Sequence, residues 1–313
     1  IMGLLNYIRI KLKRQPRPEL PAPAKNRNRV KAGLAFGAGG TRGFAHIGVI
    51  RALEENGIEF DCVSGCSAGS IAAAMYCYGL SSHQMEEILS GVKYSDIKSS
   101  RFFFVPSKSK NIEDVVRRVI GDARFEELRI PLAVSTTDLI SGEEIVYQKG
   151  DIARAVSASC AVPGVFVPVE MDGYRLADGG LINPVPSDLC RMQGAKVVVS
   201  VDIHSQRGEG TDSAKMLDVL KAAFRIGMKS TAVKGILNSD LMIQPDCQRY
   251  DQTKLEHMQE MIDEGYRAAM AKMDEIKLLL GYETEKTLAK KHRLSEKNGD
   301  SPREEEKLPT VVG

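Results

Sequence analysis

Short apolar segments alternate with longer amphipathic segments between residues 31 and 280 of this 313-residue chain. Short, apolar, partly β-branched runs predict buried strands, which we place at 31–36, 62–64, 132–136 and 196–202. Apolar residues repeating at steps of three and four predict helices, at 43–56, 68–78, 112–120, 152–159 and 253–280. Strands alternating with helices form a mostly parallel sheet covered on both faces. The pattern therefore predicts an α/β protein, a three-layer α/β/α sandwich with a mostly parallel central sheet.

The two ends of the chain differ in composition from this central part. Residues 1–31 combine an apolar and basic start with four prolines, which predicts a basic amphipathic arm and a Pro-rich linker. The prolines are Pro16, Pro18, Pro21 and Pro23. Residues 281–313 hold few apolar side chains and an acidic run at 304–306, which predicts a charged, disordered tail. The function is therefore expected in residues 32–280.

The overall charge is close to balanced, but its distribution is not. The chain has 43 Lys and Arg, 41 Asp and Glu, and a net charge of +2. Residues 1–31 carry nine bases and one acid, so the arm is strongly basic and the remainder is acidic. Nucleic-acid binding needs clustered bases on the folded surface. We therefore expect no nucleic acid as a partner, and an anionic membrane as a candidate partner for residues 1–14. A merely solvated arm is the alternative.

The apolar runs and the cysteine spacing bear on the location of the protein and on metal binding. No apolar run approaches the ~18 residues that span a bilayer, and charge follows the short apolar start instead of preceding it as in a signal peptide. The six cysteines form no C-x-x-C pair and no metal-ligand spacing, which is typical of reduced thiols. We expect a cytoplasmic protein, peripheral at the inner face of the membrane if the arm binds there, with neither a metal nor a cofactor.

A candidate nucleophile lies at Gly65-Cys66-Ser67-Ala68-Gly69. This segment fits G-x-S-x-G between a predicted strand and a predicted helix, which is the setting of a nucleophile elbow. Gly65 and Gly69 are the elbow glycines, because a Cβ at either position clashes in so sharp a turn. The alternative is a simple turn of small residues.

A glycine-rich loop, Gly37-Ala38-Gly39-Gly40-Thr41-Arg42-Gly43, follows the first predicted strand. Such a loop directs backbone N–H groups at an anion. The spacing excludes a dinucleotide fingerprint, since Arg42 stands where the third glycine belongs, and no Gly-Lys-Ser/Thr follows for a phosphate loop. An oxyanion hole is the best use of the loop, with the Ala68 N–H as an additional donor.

Residue type alone does not identify the general base that would activate Ser67. Asp178 lies in Leu176-Ala177-Asp178-Gly179-Gly180, and acids on such turns are usually structural. His204 is the one histidine placed like the base of a Ser-His-Asp triad. Both remain candidates on the residues alone.

The glycine loop with Arg42, the elbow and the D-G-G turn, in that order, resemble the patatin-like phospholipase family. The segments 43–49 and 157–166 are similar to the bacterial branch related to the catalytic domain of neuropathy target esterase. The resemblance implies a patatin-like catalytic domain over 32–280 and a Ser67–Asp178 dyad, with Ser67 as nucleophile and Asp178 as base. It also implies an oxyanion hole near Ala38, Gly39 and Gly40. Arg42 then anchors the loop or attracts an anionic headgroup.

The implied substrates are phospholipids, lysophospholipids or neutral lipids, cleaved as carboxylic esters without a metal, and we expect a phospholipid or lysophospholipid. Two other functions stay open at this point: a non-catalytic lipid- or nucleotide-binding protein that uses the loop as an anion cradle, and a Ser-His-Asp thioesterase or protease. An apolar segment at 101–105 is a candidate lip over an acyl channel, with core burial as its alternative.

Overall fold

The computed structural model describes residues 30–91, 109–204, 211–250 and 256–282. The predicted arm, except for its last two residues, the apolar segment 101–105 and the tail beyond residue 282 lie outside the described residues. Within the described ranges, no helix is both long and apolar enough to span a membrane.

A single sheet runs through the described residues. Its strands are β1 Ala32–Phe36, β2 Cys62–Cys66, β3 Leu132–Asp138, β4 Glu144–Tyr147, β5 Val169–Met171, β6 Tyr174–Asp178, β7 Val197–Val201 and β8 Leu241–Ile243. The order is β5-β6-β3-β2-β1-β7-β8, with β4 paired to β3. The run from β3 to β8 is parallel, while β4, β5 and β6 pair antiparallel. The predicted mostly parallel sheet is confirmed.

The helices lie on both faces of this sheet. They are α1 Phe44–Glu55, α2 Ala68–Tyr78, α3 Ser82–Ser90, α4 Lys110–Ile120, α5 Ile152–Ser159, α6 Ser187–Met192, α7 Met216–Asn238, α8 Met258–Ala271 and α9 Met273–Leu279. α6 and α7 cover one face, where Cys190 of α6 packs against Ala35 and Val198. The remaining helices contribute to the main core with Leu34, Phe36 and Val63 on the other face. The three-layer sandwich is therefore confirmed as well.

Two helices pack in the main core with their backbones almost in contact. A Cβ at Gly48 of α1 would lie 1.8 Å from Ile262 O, and one at Gly265 of α8 would lie 1.9 Å from Ala45 O. Both positions therefore require glycine for steric reasons. This contact brings the C-terminal α8 against the helix that follows the glycine loop.

Some predicted elements differ from the observed ones. The predicted helix at 253–280 is wrong as one element, because α8 ends at Ala271 and α9 begins at Met273 with a change of backbone direction at Lys272. The break lets Met273 and Ile276 enter the main core. The antiparallel β4 and the short β5 and β8 were not predicted, nor was α7. We return to α7 below, since its apolar residues do not follow a single face.

Candidate active site

Ser67 stands at the turn between β2 and α2, at the carboxyl end of a central parallel strand. Its backbone has φ 51° and ψ −127°, and Asp172 is the other non-glycine residue with positive φ in the described part of the chain. Such a conformation costs of order 1–3 kcal/mol and persists only where the surroundings enforce it. The strained turn lifts the Ser67 side chain out of the strand and places it in front of the α2 N-terminus, where the helix dipole favours developing negative charge.

Close backbone packing explains the glycines on either side of Ser67. A Cβ at Gly65 would lie 2.6 Å from the Cα of Ser70, and a Cβ at Gly69 would lie 2.2 Å from Phe36 O. A side chain at either position would overlap backbone atoms, which cannot move aside as the end of a flexible side chain can. The end of β1, the elbow and the first turn of α2 can pack this closely only because Gly65 and Gly69 have no side chains.

Alanine at Gly69 is expected to destabilise the protein by about 3 kcal/mol or more, because its Cβ overlaps the Phe36 carbonyl. The matched control is Gly227→Ala in α7, where nothing lies within 4 Å of the added Cβ. That control is expected to stabilise the protein by about 0.5–1 kcal/mol, since alanine loses less entropy in a helix. Urea denaturation of the two variants measures both values. Equal stabilities would contradict the packing described for the elbow.

The Ser67 hydroxyl donates a hydrogen bond directly to the Asp178 carboxylate, with 2.6 Å between Oγ and Oδ2. Asp178 ends β6, where it pairs with Thr136 of β3, and Ser67 and Asp178 are 111 positions apart in the sequence. Asp178 is fully buried and Ser67 is nearly so. The structure therefore brings together the two residues proposed from the family resemblance, with no histidine between them.

The second carboxylate oxygen of Asp178 is also held. Oδ1 accepts the Gly180 N–H at 2.8 Å, and a Cβ at Gly179 would lie 2.4 Å from Ser135 O. The D-G-G turn therefore binds one oxygen while the other faces Ser67. Burial raises the pKa of Asp178 to about 7, against the hydrogen bonds from Ser67 and Gly180, which lower it. A carboxylate with a pKa near 7 is a far better proton acceptor than an exposed aspartate.

The raised pKa of Asp178 makes a prediction about stability. A raised folded-state pKa means that the protonated carboxyl is favoured in the fold, so stability is lost as pH rises from about 4 through about 7. Asp178→Asn removes the charge while keeping a hydrogen-bonding side chain of the same shape. We expect this variant to be more stable than the wild type at pH 8, by up to about 4 kcal/mol, and nearly equal to it at pH 4. Thermal unfolding at both pH values measures the difference; a wild type more stable than the variant at pH 8 would contradict it.

The glycine loop lies beside Ser67, between β1 and α1. Gly40 has φ 60°, and the short 3-10 turn Gly40–Gly43 leads into α1. A Cβ at Gly43 would lie 2.8 Å from the Cβ of Ala68, so the loop and the elbow are in contact. The Ala38 N–H was expected to be an oxyanion donor, but it already donates a hydrogen bond to Pro184 O at 2.8 Å. Gly39, Gly40 and Ala68 therefore remain as the candidate oxyanion donors.

A serine that the sequence analysis did not single out supports the backbone at Ser67. The Ser67 N–H donates to Ser159 Oγ at 2.8 Å, and Ser159 Oγ donates to Ser135 O at 2.7 Å. Ser159 is fully buried at the end of α5, so it ties the elbow backbone to β3. Its signal in the sequence was the segment 157–166, which carried part of the family resemblance but suggested no role for this hydroxyl.

Arg42 and His46 both hold the backbone near the glycine loop. Arg42 is 5% exposed and donates from Nε to Tyr250 O and from Nη2 to Gln248 O, each at 3.0 Å. His46 Nε2 lies 2.9 Å from Gly37 O, and burial lowers the pKa of His46 to about 4, so the ring is neutral and donates to that carbonyl. This geometry favours the anchoring interpretation of Arg42 over headgroup binding.

His204, the alternative base, lies after β7. Its backbone N–H donates to Asp202 Oδ1 at 2.8 Å. The Ser67 hydroxyl donates to Asp178 instead. In the described residues, no group of three or more His, Cys, Asp or Glu side chains is arranged to hold a metal ion.

The fold and the geometry of this site define a class: α/β proteins with a serine on a strand-to-helix elbow, in contact with a buried aspartate. Comparison with known proteins narrows this class. The family model described as patatin-like phospholipase matches residues 34–190, from β1 into α6. The chain belongs to the patatin-like phospholipase family.

Several known proteins are similar to this chain. An uncharacterized NTE family protein of Mycobacterium tuberculosis is 34% identical over 206 residues, which are 62% of this chain and 56% of the relative. The human patatin-like phospholipase domain-containing protein 6 is 34% identical over 186 residues, which are 55% of this chain and 13% of that protein. The solved structure of VipD from Legionella pneumophila has a TM-score of 0.48 and 18% identity, over 79% of this chain and 67% of that one. The chain thus spans about half the length of the mycobacterial relative that it matches.

Proposed function

We propose that this protein is a serine lipid acyl hydrolase of the phospholipase A or lysophospholipase type, a carboxylic ester hydrolase that uses a Ser67–Asp178 dyad. The observation that carries the proposal is the 2.6 Å hydrogen bond from Ser67 Oγ to a buried carboxylate whose pKa is raised to about 7. Membership in the patatin-like phospholipase family supports a lipid ester as the substrate.

The proposed reaction has two steps. Ser67 Oγ attacks the ester carbonyl carbon while its proton moves to Asp178; the ester C–O bond then breaks, and the leaving alcohol takes that proton. In the second step, water attacks the acyl-Ser67 carbonyl and gives a proton to Asp178. The acyl-oxygen bond breaks, Ser67 regains its proton from Asp178, and the fatty acid leaves. One carboxyl therefore serves as base and then as acid in each half-reaction.

The tetrahedral oxyanion of each step needs hydrogen-bond donors. The proposed donors are the N–H groups of Gly39, Gly40 and Ala68, of which Ala68 is the first residue of α2 and has no partner within its own helix. Donors that are fixed before the reaction need no reorganisation, and the loss of one typically costs about 3 kcal/mol of transition-state stabilisation. Ala68 packs against Gly43 of the glycine loop. This contact fixes the position of the Ala68 N–H relative to the N–H groups of Gly39 and Gly40.

The substrate class is tested with a mixture of phospholipids and lysophospholipids. Mass spectrometry of the products is expected to show free fatty acid and the matching deacylated lipid with the wild type and neither with Ser67→Ala. Short p-nitrophenyl esters report the esterase activity separately from lipid preference. A protein that hydrolyses neither type of ester but binds lipid or nucleotide would instead be a non-catalytic binding protein.

The basic arm at residues 1–14 is proposed to tether the protein to an anionic membrane, which is consistent with a cytoplasmic, membrane-peripheral enzyme. Deletion of residues 2–20 is expected to weaken binding to anionic vesicles and to leave turnover of soluble esters unchanged, because Ser67 and Asp178 lie in the folded domain. Vesicle sedimentation and an esterase assay measure the two effects. Loss of both would mean that the arm is part of the fold.

A further inference from the structure

Helix α7 carries apolar side chains on two opposite faces. Its inner face is buried at Ala222, Met228 and Ala232. Its outer face carries a second row, called here the outer stripe, whose large side chains are between 47% and 79% exposed. The outer stripe consists of Met216, Val219, Leu220, Ala223, Ile226, Val233 and Leu237. At 1.5 Å per residue it extends for about 30 Å along the helix.

The inner face of α7 lies directly on the candidate active site. Met228 and Phe224 pack with Ala38 of the glycine loop and Cys66 of the elbow. A Cβ at Gly180, next to the dyad aspartate, would lie 2.6 Å from Met228 Sδ. The outer stripe therefore lies on the side of α7 that faces away from the candidate active site.

The C-terminal part of α7 is firmly attached to the domain. Lys234 Nζ lies 2.8 Å from Glu144 Oε2 and 2.6 Å from Asp188 Oδ2. Gly235 approaches Val185 so closely that a Cβ there would lie 1.9 Å from the Val185 carbonyl oxygen. These contacts hold the helix so that its outer stripe faces away from the sheet.

The charges on α7 are mostly positive. Lys221, Arg225 and Lys229 are spaced by four residues and form a half-buried row beside the outer stripe. Lys234, the fourth base of the helix, is already paired with Glu144 and Asp188. Asp218 is the one acid of the helix. An apolar row next to a basic row is the pattern of helices that lie in the interface of an anionic bilayer.

We propose that the outer stripe of α7 docks on an anionic phospholipid bilayer, with its apolar side chains among the upper acyl chains and the basic row at the lipid phosphates. Its use in substrate delivery rests on the proposed lipid hydrolase function, whereas the docking itself does not. The helix lies on the bilayer and does not cross it, since it carries five charged residues. A second copy of this chain fits the outer stripe less well, because two such helices would bring their basic rows together.

Tryptophan scanning tests the proposal, because the chain has no tryptophan. Ile226→Trp places a single indole on the outer stripe. The matched control, Leu278→Trp, places it at a similarly exposed leucine of α9, a helix that packs on the opposite face of the sheet. With vesicles of phosphatidylcholine and phosphatidylglycerol, the Ile226→Trp emission is expected to shift to the blue and to be quenched by brominated acyl chains, while that of Leu278→Trp stays unchanged. Vesicles that bind the full-length chain without quenching at position 226 would overturn the proposal and leave the arm as the binding element.

Polar substitutions give a second measurement that does not depend on the probe. The double variant Leu220→Gln/Ile226→Gln is expected to bind the same vesicles about tenfold more weakly, whereas Leu278→Gln binds like the wild type. Circular dichroism verifies folding, and light scattering reports the oligomeric state. Unchanged vesicle binding, or a wild-type dimer that the double variant abolishes without any change in vesicle binding, would contradict the proposal.

The same variants separate this proposal from the proposed function. Turnover of a soluble p-nitrophenyl ester by Leu220→Gln/Ile226→Gln is expected to equal that of the wild type. Quenching of the Ile226→Trp indole by brominated vesicles, together with no ester hydrolysis by the wild type, would refute the hydrolase and leave docking intact. Hydrolysis of soluble ester by the wild type, together with no quenching of the Ile226→Trp indole by brominated vesicles, would refute docking and leave the hydrolase intact.

Discussion

Ser67→Ala is expected to lower kcat/KM for a p-nitrophenyl ester by about 10⁴-fold or more and to abolish labelling by a fluorophosphonate. The substitution removes the oxygen that lies 2.6 Å from Asp178 and leaves the fold intact, since alanine keeps the Cβ of the elbow. Stopped assays on short-chain esters, with labelling followed by mass spectrometry of the intact protein, measure both effects.

The matched control is Ser64→Ala, three residues earlier in β2. The Ser64 hydroxyl is fully buried, but it donates to Pro186 O at 2.7 Å and not to Asp178. This variant is expected to lose about 1 kcal/mol of stability and to keep its turnover and labelling. Full activity in Ser67→Ala, or labelling of another serine, would refute the nucleophile assignment.

Asp178→Asn is expected to lower kcat/KM by about 10³-fold or more, because an amide does not accept the proton of Ser67. For the wild type, kcat/KM is expected to rise with pH and level off above about 7, since burial raises the pKa of Asp178 to that value and only the carboxylate is a base. Below that pH, kcat/KM falls tenfold per unit. A pH series of soluble-ester hydrolysis measures the profile.

Two controls identify the base. Asp202→Asn changes another largely buried carboxyl, whose pKa is also raised by burial and which accepts the His204 N–H. It is expected to retain activity, as is His204→Ala. If His204→Ala abolishes turnover while Asp178→Asn does not, the protein is a hydrolase with a histidine-dependent triad and the dyad is wrong.

Strands with a continuous apolar run could be predicted from local sequence, because a buried parallel strand must be apolar on both faces. β1, β2, β3 and β7 have this character, and their predicted positions agree with the structure within two residues. β4 and β5 are short, partly exposed strands at one side of the sheet. They are set by antiparallel partners distant in sequence, so their own residues provide little signal.

α7 was not predicted, although it is 23 residues long. Its inner face packs on the candidate active site and its outer stripe is exposed, so apolar residues occur almost all around it. A pattern of that kind has no single 3.6-residue period. Apolar residues on both faces of α7 explain why the sequence pattern did not predict the helix. The exposed ones also make it the candidate membrane-docking surface.

The elbow was readable from the sequence because its requirements are local. A strand, a serine between two glycines and a helix-forming run lie within about 15 consecutive residues, and each determines the backbone of its neighbours. Tertiary contacts determined the remaining features of the site. The partner of Ser67 lies 111 residues away, and burial by several elements raises the pKa of Asp178. The Ala38 N–H donates a hydrogen bond to Pro184 O, so the candidate oxyanion donors are the N–H groups of Gly39, Gly40 and Ala68. This difference between Ala38 and its neighbours depends on a residue distant in sequence, and the spacing of the glycines does not reveal it.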